Sequence, residues 1–168
     1  MKKQNGFSLI ELLIVIAIIL IIAAIAIPNL MRSKMAANEA SAISSLRTIN
    51  TAEVTYATVY PSVGYSNDMA SLGGTPAACS AAGGATSATA CIIDQVLANA
   101  TTLATAKSGY FYTYGGLIAV GGVNTGYTVT ASPTIVGTAG QRYFFTDQSG
   151  VLRYGLTGPA TLASSAIQ

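Results

Sequence analysis

From Leu12 to Ile27 the chain runs LLIVIAIILIIAAIAI without one polar side chain. With Phe7 to Ile10 before it and Pro28 after it, the stretch is long enough to cross a bilayer, which takes about 20 residues. A segment in lipid must satisfy its own backbone donors and acceptors, so this one is expected to be helical. A single charge, Glu11, stands at its start. Burying a carboxylate in such a helix costs on the order of 2.5 to 3.5 kcal/mol by insertion scales. An acid kept there points to a role, usually beside a cation. The rest of the chain reads as a polar head carried by this apolar stalk.

The chain has 168 residues, enough for the stalk and one modest domain. It is 51% hydrophobic, and the stalk supplies much of that. The remainder is rich in Ala, Ser, Thr and Gly. The formal net charge is +2, and without residues 1–6 there are six basic and six acidic side chains. That balance offers no broad basic surface for nucleic acid. Lys2 and Lys3 precede the apolar run, which by the positive-inside rule places them in the cytoplasm and the head outside. An ordinary secretory signal has a short apolar core and then a small-x-small cut. Here the run is longer, carries Glu11 and continues through Pro28 into an amphipathic segment. A single-pass anchor without special chemistry is the other plain reading. A membrane-anchored enzyme lacks support: there is no histidine, and no nucleophile, phosphate-loop or paired-carboxylate motif. No catalytic residue, cofactor or metal site is expected.

Residues Gly6-Phe7-Ser8-Leu9-Ile10-Glu11 resemble the prepilin cleavage and methylation motif of type IV pilins and type II secretion pseudopilins. The short basic leader is similar to that of type IVa prepilins. The resemblance implies cleavage between Gly6 and Phe7 by a prepilin peptidase, N-methylation of Phe7, and use of Glu11 to set register between neighbouring subunits. It further implies an inner-membrane precursor, then a helical homo-oligomeric filament outside the cell. An assembly platform and ATPases come with the family. Motility, adhesion or DNA uptake would follow from a pilus; the alternative is a short periplasmic pseudopilus. The family's helix-weakening glycine between Phe7 and Pro28 is missing here, which leaves Pro28 as the helix breaker of the stalk. Glu11 lies one helical turn from Phe7, on the same face. A carboxylate there is also favoured by the helix dipole, by roughly 0.3 to 1 kcal/mol. It can meet a new terminal amine within one chain or between chains.

Pro28 removes a backbone donor and crowds the carbonyl of Ala24, so a kink is expected there. Asn29 to Tyr60 holds neither Gly nor Pro and reads as amphipathic helix. Its expected packing stripe is Ala36, Ala40, Ile43, Leu46, Asn50, Ala57 and Tyr60, with Arg32, Lys34, Glu39, Arg47 and Glu53 mainly turned away. Pro61 and Gly64 end it. Residues 61–107 read as a variable loop region, with a helical turn at Asp68–Leu72 and a short helix at Ile92–Ala100. Cys79 and Cys91 bracket its low-complexity piece. An oxidising location makes a disulfide the expected state; a metal site is disfavoured without histidine or a C-x2-C pair. Asn99-Ala100-Thr101 is a formal glycosylation sequon, a pattern common by chance.

Four segments of residues 108–157 read as strands of an antiparallel meander: Tyr110–Tyr114, Tyr127–Ala131, Arg142–Thr146 and Val151–Tyr154. Leu117–Val120 is left as strand or loop. Asp147-Gln148-Ser149-Gly150 reads as turn chemistry rather than a calcium loop, having one carboxylate where Ca²⁺ takes 6 to 8 oxygens. Residues 158–168 read as a surface tail. The expected organisation is therefore a leader (1–6), an apolar helix (7–28), an amphipathic helix (29–60), the loop region, the sheet and the tail, an α+β pilin-type fold.

Overall fold

The computed structural model describes residues 7–80 and 84–167. Its first helix, α1, is Leu9–Val59, unbroken through Pro28. By internal packing the chain divides within α1 into residues 1–34 and Met35–Gln168.

In the first unit every large apolar side chain from Phe7 to Met31 is exposed. The helix there is apolar on all sides, and it is long and apolar enough to cross a membrane. A helix greasy all round needs a medium other than water.

In the second unit, α1 buries Glu39, Ala42, Ser45, Leu46, Ile49, Ala52, Glu53 and Tyr56. These positions recur every three or four residues, so they form one stripe. The stripe differs from the sequence expectation by about one position. Ala36 and Ala40 are exposed, whereas Glu39 and Glu53, expected to face away, lie inside. The pattern misleads because the inward face is chosen by hydrogen-bond partners as well as by apolarity. On the outward face, the hydroxyls of Thr48, Thr51, Thr55 and Thr58 each donate to the carbonyl four residues back, at 2.8 to 3.1 Å.

Among its described residues the connecting region holds three short α-helices, α2 (Met69–Leu72), α3 (Pro76–Ser80) and α4 (Gln95–Ala98), and a 3-10 turn at Leu103–Thr105. Asp68 caps α2 by accepting from the Ser71 amide, and Asp94 caps α4 by accepting from the Leu97 amide. α4 is shorter than the expected Ile92–Ala100, because its start is set by that Asp94 cap. Cys79 and Cys91 form a disulfide. A Cβ on Gly74 would come within 2.7 Å of the Cys79 sulfur and 2.9 Å of the Cys91 sulfur, so the bridge can close only over a glycine.

The sheet is an antiparallel meander of five strands: β1 (Tyr110–Val120), β2 (Val123–Pro133), β3 (Tyr143–Asp147), β4 (Arg153–Gly155) and β5 (Ser165–Ala166). The expected α+β architecture is present, with two adjustments. Leu117–Val120 is strand, because Gly121 and Gly122 both take positive φ (61° and 83°) and close Val120 on Val123. Two-residue hairpin turns favour that conformation. Near the end of the chain, Ser165 and Ala166 pair with β4 while staying at the surface, and the Ile167 amide donates to the Leu152 carbonyl. Their strand signal is too short to read from sequence.

Tyr112, Ala131, Phe144 and Tyr154 are consecutive cross-strand partners over four strands. The small Ala131 lies between the larger Tyr112 and Phe144. Together with Leu46, Ile49 and Tyr56 of α1, and Met69, Leu72 and Leu97 of the connecting region, they form one core.

The disulfide closes a loop of separation 12. The double substitution Cys79→Ser/Cys91→Ser is expected to cost about 3 kcal/mol in the chain-entropy account. Denaturant titration of both proteins in detergent measures it; equal midpoints would contradict the expectation.

Candidate functional site

Gly6 and the leader lie outside the described residues, so the geometry of the cut itself is not on view. Phe7 is exposed, the first described residue of the stalk. Glu11 is placed by the start of α1: its Oε2 accepts from the Ser8 backbone amide at 2.9 Å. Ser8-x-x-Glu11 has the spacing of a capping box, in which the third helical residue reaches back to the cap. The sequence carries that signal beside the helix-dipole and ion-pair roles expected of Glu11. The two roles fit together. In the uncut chain the Phe7 nitrogen is an amide and carries no charge. Glu11 meanwhile satisfies one of the donors that every helix start leaves open. Cutting after Gly6 would create an ammonium beside a carboxylate already held at the helix end.

The second group of polar residues lies in the head, along the inward stripe of α1. Glu53 is fully buried. Its Oε2 accepts from the Ser66 amide at 2.9 Å, and its Oε1 accepts from the Ser66 hydroxyl at 2.6 Å and the Tyr114 hydroxyl at 2.8 Å. Burial nevertheless pushes its pKa above the ordinary carboxyl value of 4.5, the three hydrogen bonds offsetting part of the desolvation. Burial also raises the hydroxyls of Tyr114 and Tyr127, and the Glu53 charge adds to it, so both remain neutral donors.

Glu39 fastens the other end of the stripe. Its Oε1 accepts from the Gln141 and Arg142 amides at 2.8 and 3.2 Å, and its Oε2 pairs with Arg142 Nε at 2.7 Å. The Arg142 guanidinium lies over Phe144 and Tyr154, 5.6 and 5.8 Å from the ring centres. Between the two acids, the Asn50 amide nitrogen donates to Thr146 and its oxygen accepts from the Tyr127 hydroxyl. Asp147 is occupied locally, accepting from the amide and hydroxyl of Ser149. Among the described residues no group of three or more potential metal ligands comes together. The head arrangement thus fixes loops to a helix.

Comparison with known proteins bears on the first group. Residues 1–27 match the prokaryotic N-terminal methylation motif. The chain is 59% identical over 39 residues to the type IV wide pilus major component PilA4 of Thermus thermophilus, covering 23% of this chain and 30% of that protein. The N-terminal stalk is thus similar to that of a type IV pilus component. A second pilin relative, the type IV major pilin protein PilA of Myxococcus xanthus, is 43% identical over 54 residues, covering 32% of this chain and 24% of its own. The chain therefore spans less than a third of the length of either relative. No solved structure matches.

Glu53 yields two expectations. Because its folded pKa is raised, its contribution to stability is fully present below the unfolded value of 4.5. It is lost as pH rises from there through the higher folded value. Glu53→Gln is expected to flatten this slope in urea midpoints measured from pH 4 to 8. Glu53→Ala leaves the Ser66 amide buried without its acceptor and is expected to cost about 1 to 3 kcal/mol; a change under a few tenths would contradict the role.

Proposed function

We propose that this chain is the structural subunit of a type IV pilus. A prepilin peptidase cuts between Gly6 and Phe7 and the new Phe7 amine is methylated. The precursor waits in the inner membrane by its stalk with the head outside the cytoplasm. Assembly passes the stalk from lipid to the stalks of neighbouring copies, so an apolar surface is exchanged for another of the same kind. An open filament follows when each copy makes the same head-to-tail contact with the next. The platform and ATPases that drive this belong to the cell.

The observation that carries the reading is a fully exposed apolar helix that starts at a methylation motif and holds one acid at its first turn. In an apolar bundle that acid needs a cation, and the Phe7 ammonium of an adjacent subunit supplies one. Their attraction is strong in a low-dielectric setting and falls steeply with axial displacement, which makes it a ruler for stagger. The head contributes shape and surface and no enzymatic step. The relatives named as pilus components support a pilus over a secretion pseudopilus.

Glu11→Leu is expected to abolish or strongly reduce fibres sheared from the cell surface, with precursor still made and cut. Fibre counts by electron microscopy, alongside terminal sequencing of the sheared material, measure this. Normal fibres from the Leu variant would remove the register role. Unmethylated or uncut N-termini in fibres would remove the processing scheme. An absence of fibres in the parent, with loss of exoprotein secretion on deletion, would favour the pseudopilus.

A further inference from the structure

We propose that Arg32 and Lys34 form a clamp for the phosphate headgroups of anionic phospholipids, at the head-side end of the stalk. The inference rests on the membrane-anchored reading above. All of its residues lie within the first unit, residues 1–34.

Length places the pair. From Phe7 to Met31 the helix rises about 37 Å at 1.5 Å per residue. That exceeds a hydrocarbon core of about 30 Å and ends inside the 40 to 45 Å that includes the headgroups. The last large apolar side chains, Leu30 and Met31, are 70% and 46% exposed, and the two cations follow at once.

Charge selects the ligand. Arg32 and Lys34 are both exposed, and neither lies within ion-pair distance of a carboxylate among the described residues. Between Glu11 and Glu39 the sequence holds no acid, and Glu39 is already committed to Arg142. The residue between the two cations offers no competing donor, since the Ser33 hydroxyl donates to the Asn29 carbonyl at 3.0 Å.

Two residues apart, the cations leave the helix about 200° from one another. They therefore reach headgroups on opposite sides of the stalk. Their long stems can lie along the apolar boundary while the charged ends stay at the phosphates. The guanidinium can hold a phosphate through two parallel hydrogen bonds, and the ammonium acts as a point charge.

The chain has no tryptophan, so a single reporter can be introduced as Asn29→Trp. The full-length protein is reconstituted into phosphatidylcholine vesicles with a minority of phosphatidylglycerol. Either lipid carries brominated chains that quench the reporter. Brominated phosphatidylglycerol is expected to quench well beyond its bulk share, by up to about 30-fold enrichment at low salt, the scale expected for two basic residues at an anionic surface. Arg32→Gln/Lys34→Gln should bring the enrichment close to one while total quenching persists, and Arg32→Lys/Lys34→Arg should largely keep it. Quenching by each lipid only in proportion to its bulk share in the parent protein, with insertion intact, overturns the clamp alone. An enrichment that the double Gln variant retains overturns it as well. Quenching by neither lipid overturns the membrane reading together with the clamp.

Discussion

A buried backbone amide must have an acceptor, and this requirement shapes α1 in two different ways. In the apolar stalk the helix is its own partner, so the side chains are free to be greasy on every side. In the head the problem belongs to the neighbouring loops. The amides of Ser66, Gln141 and Arg142 all find their acceptors on carboxylates that α1 carries inward. Glu39 and Glu53 are thus load-spreading points between one helix and two distant loops. Replacing Glu53 with an apolar residue would fill space but strand the buried Ser66 donor.

The Ala-, Gly-, Ser- and Thr-rich connecting region cannot supply many large core residues, and other devices take their place. Asp68 and Asp94 start its short helices. Backbone bonds from Ala90, Cys91 and Ile92 to Ser71, Gly73 and Leu72 lace its two halves together. The Tyr56 hydroxyl of α1 donates to the Ser87 carbonyl at 2.5 Å, so the loop inside the disulfide is also tied to the core. Covalent and polar links hold a segment whose side chains are too small to pack tightly by themselves.

Much of this was legible in the residues. The uninterrupted apolar run and the two-residue alternation of Tyr127 to Ala131 are strong local signals, and local signals survive folding. The Gly6–Glu11 motif was legible for the same reason. The inward direction of Glu39 and Glu53 was not, because their partners lie 102 and 13 residues away in sequence. A periodicity argument sees only one helix and gives acids to the solvent face. The capping geometry of Glu11 was half legible: its favourable place at the helix start could be read, but the bond from the Ser8 amide could not. The two-residue β5 was too brief to leave any pattern.

The threonine hydroxyls on the outer side of α1 have a further bearing. Each of Thr48, Thr51, Thr55 and Thr58 has already given its proton to the helix that bears it. Such a surface looks polar in composition, yet it makes few demands on surrounding water. Drying it against another protein would therefore leave none of these hydroxyl protons without a partner, and only the oxygens' acceptor lone pairs would have to give up water.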